Sequence, residues 1–269
     1  MYNRLLSETL FAFVDVETTG LRPTDGDRVC EIAIIRTVGE AEVERFVSLV
    51  DPGCPISPGA AAVNGLTNAD VRGQPRFAAL APRVAALLEG AVFVAHNAPF
   101  DLRFLDAEMM AAGYHPLGNT CVDTLELARS RYRLPSYSLA NLAARLGIEA
   151  RDAHRALADV QTTRALLNRI IHDTRAKYLA DLDPSIAGLP LDVAPVPSPL
   201  IQAIRQRRRV RLVYESSSGV TDRLVEPFSI HVRGQIVYLS AYCHLRQERR
   251  TFRVDRIRTM TFDGEDAVR

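Results

Sequence analysis

No stretch of this chain approaches the roughly 20 apolar residues that a membrane span requires, so no transmembrane helix is expected. The first eight residues, Met1 to Glu8, hold no long apolar core and no small-residue cleavage site, and no signal peptide is expected. Cysteine is sparse. Cys30, Cys54, Cys121 and Cys243 are widely scattered and none has C-x-x-C spacing, which argues against a zinc knuckle and a disulfide framework. A reducing cytoplasm is the expected compartment. What is present is 269 residues, 47% hydrophobic and 24% charged, a globular composition long enough for one large domain or two ordinary ones. The net charge of +1 conceals an asymmetry. Residues 196–269 carry 14 arginines against 8 acidic residues, a net of +6, while the remainder has 19 basic and 24 acidic residues, a net of −5. Two units are expected, the second with an anionic partner.

The chain is organised around Phe13-Val14-Asp15-Val16-Glu17-Thr18-Thr19-Gly20. The apolar run from Leu10 to Val16 predicts a central strand covered on both faces. Asp15 and Glu17 are two apart, so both side chains leave one face of it. Two carboxylates crowded at the end of a buried strand repel each other and lose hydration, a costly arrangement unless a cation sits between them.

Val29 to Val38 and Val43 to Val50 predict two further strands, giving an antiparallel meander. Helical spacing follows over Phe77 to Glu89. Ala91 to Ala95 is a short buried strand that opens into His96-Asn97-Ala98-Pro99-Phe100-Asp101. Pro99 suits the first turn of a helix reaching Gly113, which places Asp101 in that turn, directly after a central strand. Cys121 to Thr124 starts a further short strand or a helix entry, with Asp123 or Thr124 as a cap for Leu125 to Arg131. Helices are expected over Ser138 to Leu146 and from near Ala156 to about Lys177. The segment from Ala180 to Pro199 holds five prolines and reads as an extended linker. A short helix and five short strands follow, a small curved β unit.

Asp15, Glu17, Asp101 and Asp159 are the candidate acidic ligands. Four carboxylates with no basic partner in their own motifs suit hard divalent cations, Mg²⁺ or Mn²⁺, and a pair of such ions suits in-line displacement at phosphorus. His154 precedes Asp159 by five residues, about 140° around a helix, so His154 is expected on the loop entering that helix, placed to act as a general base.

These residues carry a resemblance. Asp15-Val16-Glu17-Thr18-Thr19-Gly20, His96 to Asp101 and His154-Arg155-Ala156-Leu157-Ala158-Asp159 resemble, in order and spacing over about residues 8 to 175, the three motifs of the DnaQ-like, DEDDh-type 3′–5′ exonucleases. The resemblance implies a ribonuclease H-like α/β fold with a mixed sheet flanked by helices, two Mg²⁺ or Mn²⁺ ions held by Asp15, Glu17, Asp101 and Asp159, and His154 as the general base. It implies that Thr18, Thr19, Gly20, Asn97 and Phe100 contact the terminal nucleotide. Asn64-Gly65-Leu66-Thr67 departs from the His-Gly-Ile-Thr of many relatives.

Arg211 to Tyr214, Val225-Glu226-Pro227, Val237 to Cys243 and Arg250 to Ile257 resemble a WYL domain over about residues 199 to 262, with Val237 where Trp is usual. The resemblance implies a small Sm-like β-barrel and a nucleic-acid or nucleotide ligand. Arg246, Arg249, Arg250, Arg253 and Arg256 offer charge for phosphates, with Tyr238 a further ligand candidate. Tyr214, Tyr238 and Tyr242 are either stacking faces or core, with core favoured.

The expected organisation is residues 1–179 exonuclease, 180–198 linker and 199–269 WYL-like. The expected activity is metal-dependent hydrolysis of single-stranded DNA or RNA from 3′ ends, DNA favoured, to nucleoside 5′-monophosphates. An exoribonuclease and a ligand-sensing regulator on an inactive scaffold are the alternatives. No helix-turn-helix is evident, which counts against the regulator, and no clamp-binding peptide is evident, so a polymerase partner is possible but not indicated. Among other residues, His115, His172, His231 and His244 are expected at the surface, His96 is expected to shape the Asp101 loop, and Asp25 and Asp27 to lie in a solvated loop.

Overall fold

The computed structural model describes residues 4–150, 154–182, 198–206, 208–216, 219–233 and 236–264. The chain divides into two compact units, residues 1–184 and 185–269. Most of the expected linker lies outside the described residues. Its start does not: Leu179–Leu182 is a 3-10 turn whose Leu179 and Leu182 are buried in the first unit.

The first unit is built on a five-stranded sheet. Its strands are β1 (Leu10–Thr18), β2 (Val29–Val38), β3 (Ala41–Leu49), β4 (Val92–Ala95) and β5 (Cys121–Asp123), in the order β3-β2-β1-β4-β5. β1, β2 and β3 form the antiparallel meander, while β4 and β5 run parallel to β1. Alternation along β1 feeds two cores. Ala12, Val14 and Val16 pack with α3 (Phe77–Leu88) and α4 (Ala98–Ala111). Phe11 and Phe13 pack with α5 (Thr124–Arg131), α6 (Leu139–Leu146) and α7 (Ala156–Thr174). Two short helices, α1 (Pro58–Asn64) and α2 (Asn68–Val71), cover the loop after β3. Ser57 caps the first and a Thr67–Asp70 capping box the second. α1 begins at Pro58, directly after the Ser57 cap, where a proline suits the first helical position. Among the described residues no helix is long and apolar enough to cross a membrane.

The second unit opens with α8 (Ser198–Arg205) and continues through β6 (Val210–Ser216), β7 (Gly219–Arg233), β8 (Ile236–Cys243), β9 (Glu248–Arg253) and β10 (Ile257–Phe262). The antiparallel order is β10-β6-β7-β8-β9. Among the described residues nothing pairs β9 with β10, so the sheet is open where a closed barrel was expected. β7 runs through Pro227. A register shift between Pro227 and Ser229 accommodates the residue that has no N–H to donate, and the strand continues beyond it. Leu212, Val225, Leu239, Ala241 and Phe252 form its core.

Candidate functional site

Pairing between β1 and β4 covers only Phe11 to Phe13. Asp15 and Glu17 continue the Phe11/Phe13 face beyond that point, where β1 has no neighbour on its β4 side. Asp159 reaches the same place from the first turn of α7. One carboxylate oxygen from each of Asp15, Glu17 and Asp159 lies within 4.8 Å of the others, and all three residues are half-buried. Asp101 sits in the first turn of α4, fully buried, and accepts a hydrogen bond from the Val16 N–H at 3.2 Å. Its carboxylate is thus spent partly on fixing β1, and it stands beside the three-carboxylate cluster instead of within it.

The electrostatics is that of crowded carboxylates withdrawn from water. Desolvation pushes the Asp15 carboxyl well above the ordinary range, and Asp101, Glu17, Asp159 and Glu31 all push the same way. Desolvation also drives Glu17 up to about 7, with Asp159 and Glu31 adding to it and Arg155 and Asn64 opposing. Asp101 and Asp159 are raised, again chiefly by desolvation. Carboxylate oxygens that crowd together and resist ionisation alone fit a hard divalent cation, which removes the repulsion and fills the oxygen shell. Mn²⁺ binding should therefore displace protons. Titration at pH 6.5 in buffers of different ionisation enthalpy should show proton release, falling toward pH 8.5 as Glu17 empties; a buffer-independent heat at both pH values would exclude the linkage.

His154 stands exposed just before α7 with φ at 68°. Its N–H donates to Asp159 Oδ2 at 3.2 Å. The expected placement on the entering loop is what the backbone shows. Asn97 caps α4 with φ at 67°, and its N–H donates to Asp123 Oδ1 at 3.0 Å. Asp123 also accepts from Leu125 N–H at 2.9 Å, capping α5. His96 bonds Thr124 Oγ1 and the Tyr137 carbonyl, and burial lowers its pKa.

Thr18 and Thr19 are buried and their hydroxyls are engaged. Thr18 Oγ1 donates to the Gly20 carbonyl at 2.6 Å, and Thr19 Oγ1 accepts from Arg28 N–H at 3.0 Å. A Cβ on Gly20 would run into the Asp27 carboxylate, which would have to move aside and give up its bonds to the turn. Asp27 accepts from Arg22 N–H at 2.9 Å, which makes it part of the turn and not a free loop acid. Phe100 is half-buried against Phe104. Asn64 is buried and donates to the Thr18 carbonyl at 3.3 Å.

Sequence reading missed Glu31. It lies on β2 directly opposite Glu17, is 3% exposed, and is held bidentately by Arg155. The available signal was a glutamate inside the apolar run Val29-Cys30-Glu31-Ile32-Ala33-Ile34. Glu108, equally buried, was missed for the same reason; Arg28 grips it from a residue 80 positions away.

In the second unit Tyr242 is buried and Tyr214 packs edge-on to Phe252, which makes both core; Tyr238 is half-buried. Arg250 pairs with Glu248 and Arg253 with Asp255. Arg246 and Arg256 are exposed and, among the described residues, in no ion pair. His244 is not a surface residue as expected: it is half-buried and its Nε2 meets Glu226 at 2.9 Å. The side chain of His231 lies outside the described residues.

Residues 12–167 match the Exonuclease family (RNase_T) and residues 195–262 the WYL domain. A DNA polymerase III subunit epsilon-like protein of Rhodobacter capsulatus is 40% identical over 181 residues, 65% of this chain and 25% of that protein. The 3′-5′ exonuclease DinG of Bacillus subtilis is 33% identical over 63% of this chain and 18% of its own length. The chain thus spans a quarter or less of these two relatives. It spans 76% of the DNA polymerase III subunit epsilon of Treponema pallidum, at 33% identity over 60% of this chain. Among solved structures, Exonuclease I of E. coli in complex with a dT13 oligonucleotide shares the fold, with a TM-score of 0.60 at 24% identity over 86% of this chain and 55% of that one. Exonuclease X in complex with 5′ overhanging duplex DNA gives 0.52 at 29% identity over 66% of this chain and 99% of that one. With an RNase H-like α/β unit, a mixed five-stranded sheet and an acidic cluster at the end of its central strand, the chain belongs to the Exonuclease family, with a WYL domain after the exonuclease domain.

Proposed function

We propose that this protein is a metal-dependent 3′–5′ exonuclease that hydrolyses single-stranded nucleic acid, DNA in preference to RNA, and releases nucleoside 5′-monophosphates. The observation that carries the reading is the convergence of Asp15, Glu17 and Asp159 oxygens within 4.8 Å, with Asp101 buried beside them. Its likeness to a 3′-5′ exonuclease and the DNA bound by two structural neighbours support it.

Asp15, Glu17, Asp101 and Asp159 would hold two Mg²⁺ or Mn²⁺ ions. Divalent cations at such a site lower the pKa of an attacking water and stabilise the leaving oxygen. The chain's own groups do the rest. His154, exposed beside the cluster's Asp159, takes the proton of the attacking water. Thr18, Thr19, Gly20, Asn97 and Phe100 would receive the terminal nucleotide.

Residues 1–179 would form the exonuclease domain, 180–198 the linker and 199–269 the WYL-like domain. The Sm-like reading of the last rests on one short helix followed by five antiparallel strands. Its excess of arginine would hold the substrate strand or a nucleotide ligand. Replacing Arg246, Arg250 and Arg256 together by Gln should weaken oligonucleotide binding and reduce the slope of log K against log salt by about 2, at roughly 0.7 per lost phosphate contact on a single strand. An unchanged slope would remove this unit from substrate binding.

The decisive assay uses 5′-labelled single-stranded DNA and RNA of one sequence with Mg²⁺ or Mn²⁺. A ladder shortening from the 3′ end, faster for DNA, is expected. No cleavage of either substrate in either metal would turn the assignment toward a regulator on a nuclease scaffold.

A further inference from the structure

The tripeptide His154-Arg155-Ala156 is held from two sides. Asp159 accepts the His154 N–H at 3.2 Å, and Asp159 N–H in turn donates to the Arg155 carbonyl at 3.1 Å. From the sheet, Glu31 takes everything else. Its Oε1 accepts from Arg155 Nη2 at 2.7 Å, and its Oε2 accepts from Arg155 Nε at 3.1 Å and from the Ala156 N–H at 3.0 Å. Ala156 is the first residue of α7, and neither it nor Arg155 has a side-chain cap from its own segment. Glu31 therefore supplies the N-terminal cap of α7 from a strand 125 positions earlier in the chain. A carboxylate at a helix N-terminus is favoured both by the unpaired N–H groups and by the helix dipole.

Burying Glu31 is expensive, and a helix cap alone does not require it, since a local Ser or Asp in place of Arg155 serves. What the bidentate fork adds is direction. The guanidinium held at two points and the Ala156 N–H held by the same carboxylate together tie residues 155 and 156 to the sheet, and so restrain the preceding residue. That residue is His154, at φ 68°, a left-handed conformation that a non-glycine residue adopts at a cost and keeps only when its neighbours impose it.

We infer that Glu31 and Arg155 form a clamp that positions His154, imposing its left-handed backbone and so aiming its imidazole at the acidic cluster. Both are positioning residues that act through His154 and hold no metal. This rests on the reading of His154 as the general base of the proposed exonuclease.

The test is a double-mutant cycle in the full chain. Arg155→Gln and Glu31→Gln should each lower kcat about 10- to 100-fold, the usual cost of losing an outer partner of a reacting group, with KM and Mn²⁺ affinity unchanged. Arg155→Lys, which keeps one contact and the charge, should recover part of the loss. Placed on His154→Gly, Arg155→Gln should cost no more than about 2-fold further, because its target is already gone. An equal loss on that background, or a parallel fall in Mn²⁺ affinity, would overturn the clamp. A second readout needs no turnover. The three-bond HN–Hα coupling of His154 reports its φ, and it should change in Arg155→Gln and largely persist in Arg155→Lys; an unchanged coupling in Arg155→Gln and Glu31→Gln would overturn the clamp even if the wild-type protein cut nothing. Wild-type inactivity on every substrate would instead defeat the exonuclease reading.

Discussion

Asp15→Asn should cut no substrate and, stripped of metal at pH 8, should melt at a higher temperature than the wild-type protein. The two halves of this expectation have one cause. Asp15 is pressed by desolvation and by four neighbouring carboxylates, so its charged form burdens the fold and serves only to bind a cation. Removing the charge relieves the fold and removes the ligand. The rate should fall on the order of 10³-fold or more, as expected when a group that stabilises charge in the transition state is lost.

Glu17→Gln gives the pH dependence a magnitude. The folded protein holds this carboxyl at about 7, against an ordinary value of 4.5. The folded state then binds the proton more tightly than the unfolded state, so the stabilisation is fully present below pH 4.5 and is lost as the pH rises through 7. Between those limits wild-type stability should decline, by about 3 kcal/mol at most. Glutamine stays neutral throughout and should escape the decline. With chelator present, the variant should match wild type near pH 4.5 and exceed it at pH 8 by roughly 5–10 °C. Saturating Mn²⁺ should reverse the order, raising the wild-type midpoint and leaving the variant where it was. A variant that melts below wild type at both pH values would show that these carboxylates hold the fold together.

Much of this site is legible in the sequence because it depends on short-range periodicity. The period of a strand puts Asp15 and Glu17 on one face, and Pro99 after a strand puts Asp101 in a first helical turn. What is not legible depends on partners remote in the chain. Glu31 reads as a flaw in an apolar strand until Arg155 arrives from 124 positions away, and Glu108 as an ordinary helix acid until Arg28 meets it. Nothing local marks Asn97 or His154 as left-handed, since Asp123 and Asp159 hold their amides through tertiary contact or across a turn. Hydrogen bonding is also why the threonines read differently once folded. Thr18 and Thr19 look like polar residues facing a substrate, but the turn into Gly20 takes both hydroxyls. In the second unit, the open sheet follows from strand pairing across residues 210–262, which no pattern within one strand records.

The other large effect should come from His154, and the backbone decides which substitution tests it best. At φ 68° an alanine is strained, whereas glycine adopts that conformation without a steric cost. His154→Gly therefore removes the imidazole and leaves the loop its shape. It also leaves the hydrogen bond from residue 154 N–H to Asp159 Oδ2, because that bond belongs to the backbone. Asp159 should stay in place and Mn²⁺ should bind with wild-type affinity. Turnover should still fall 10²- to 10⁴-fold, the range for loss of a general base. Since the side chain is exposed, its place is open to solvent, and free imidazole should reach it and restore part of the rate, saturating with concentration. A drop in rate that imidazole does not touch, accompanied by weaker Mn²⁺ binding, would mean that His154 serves the metal site, and the proton would have to leave by another group.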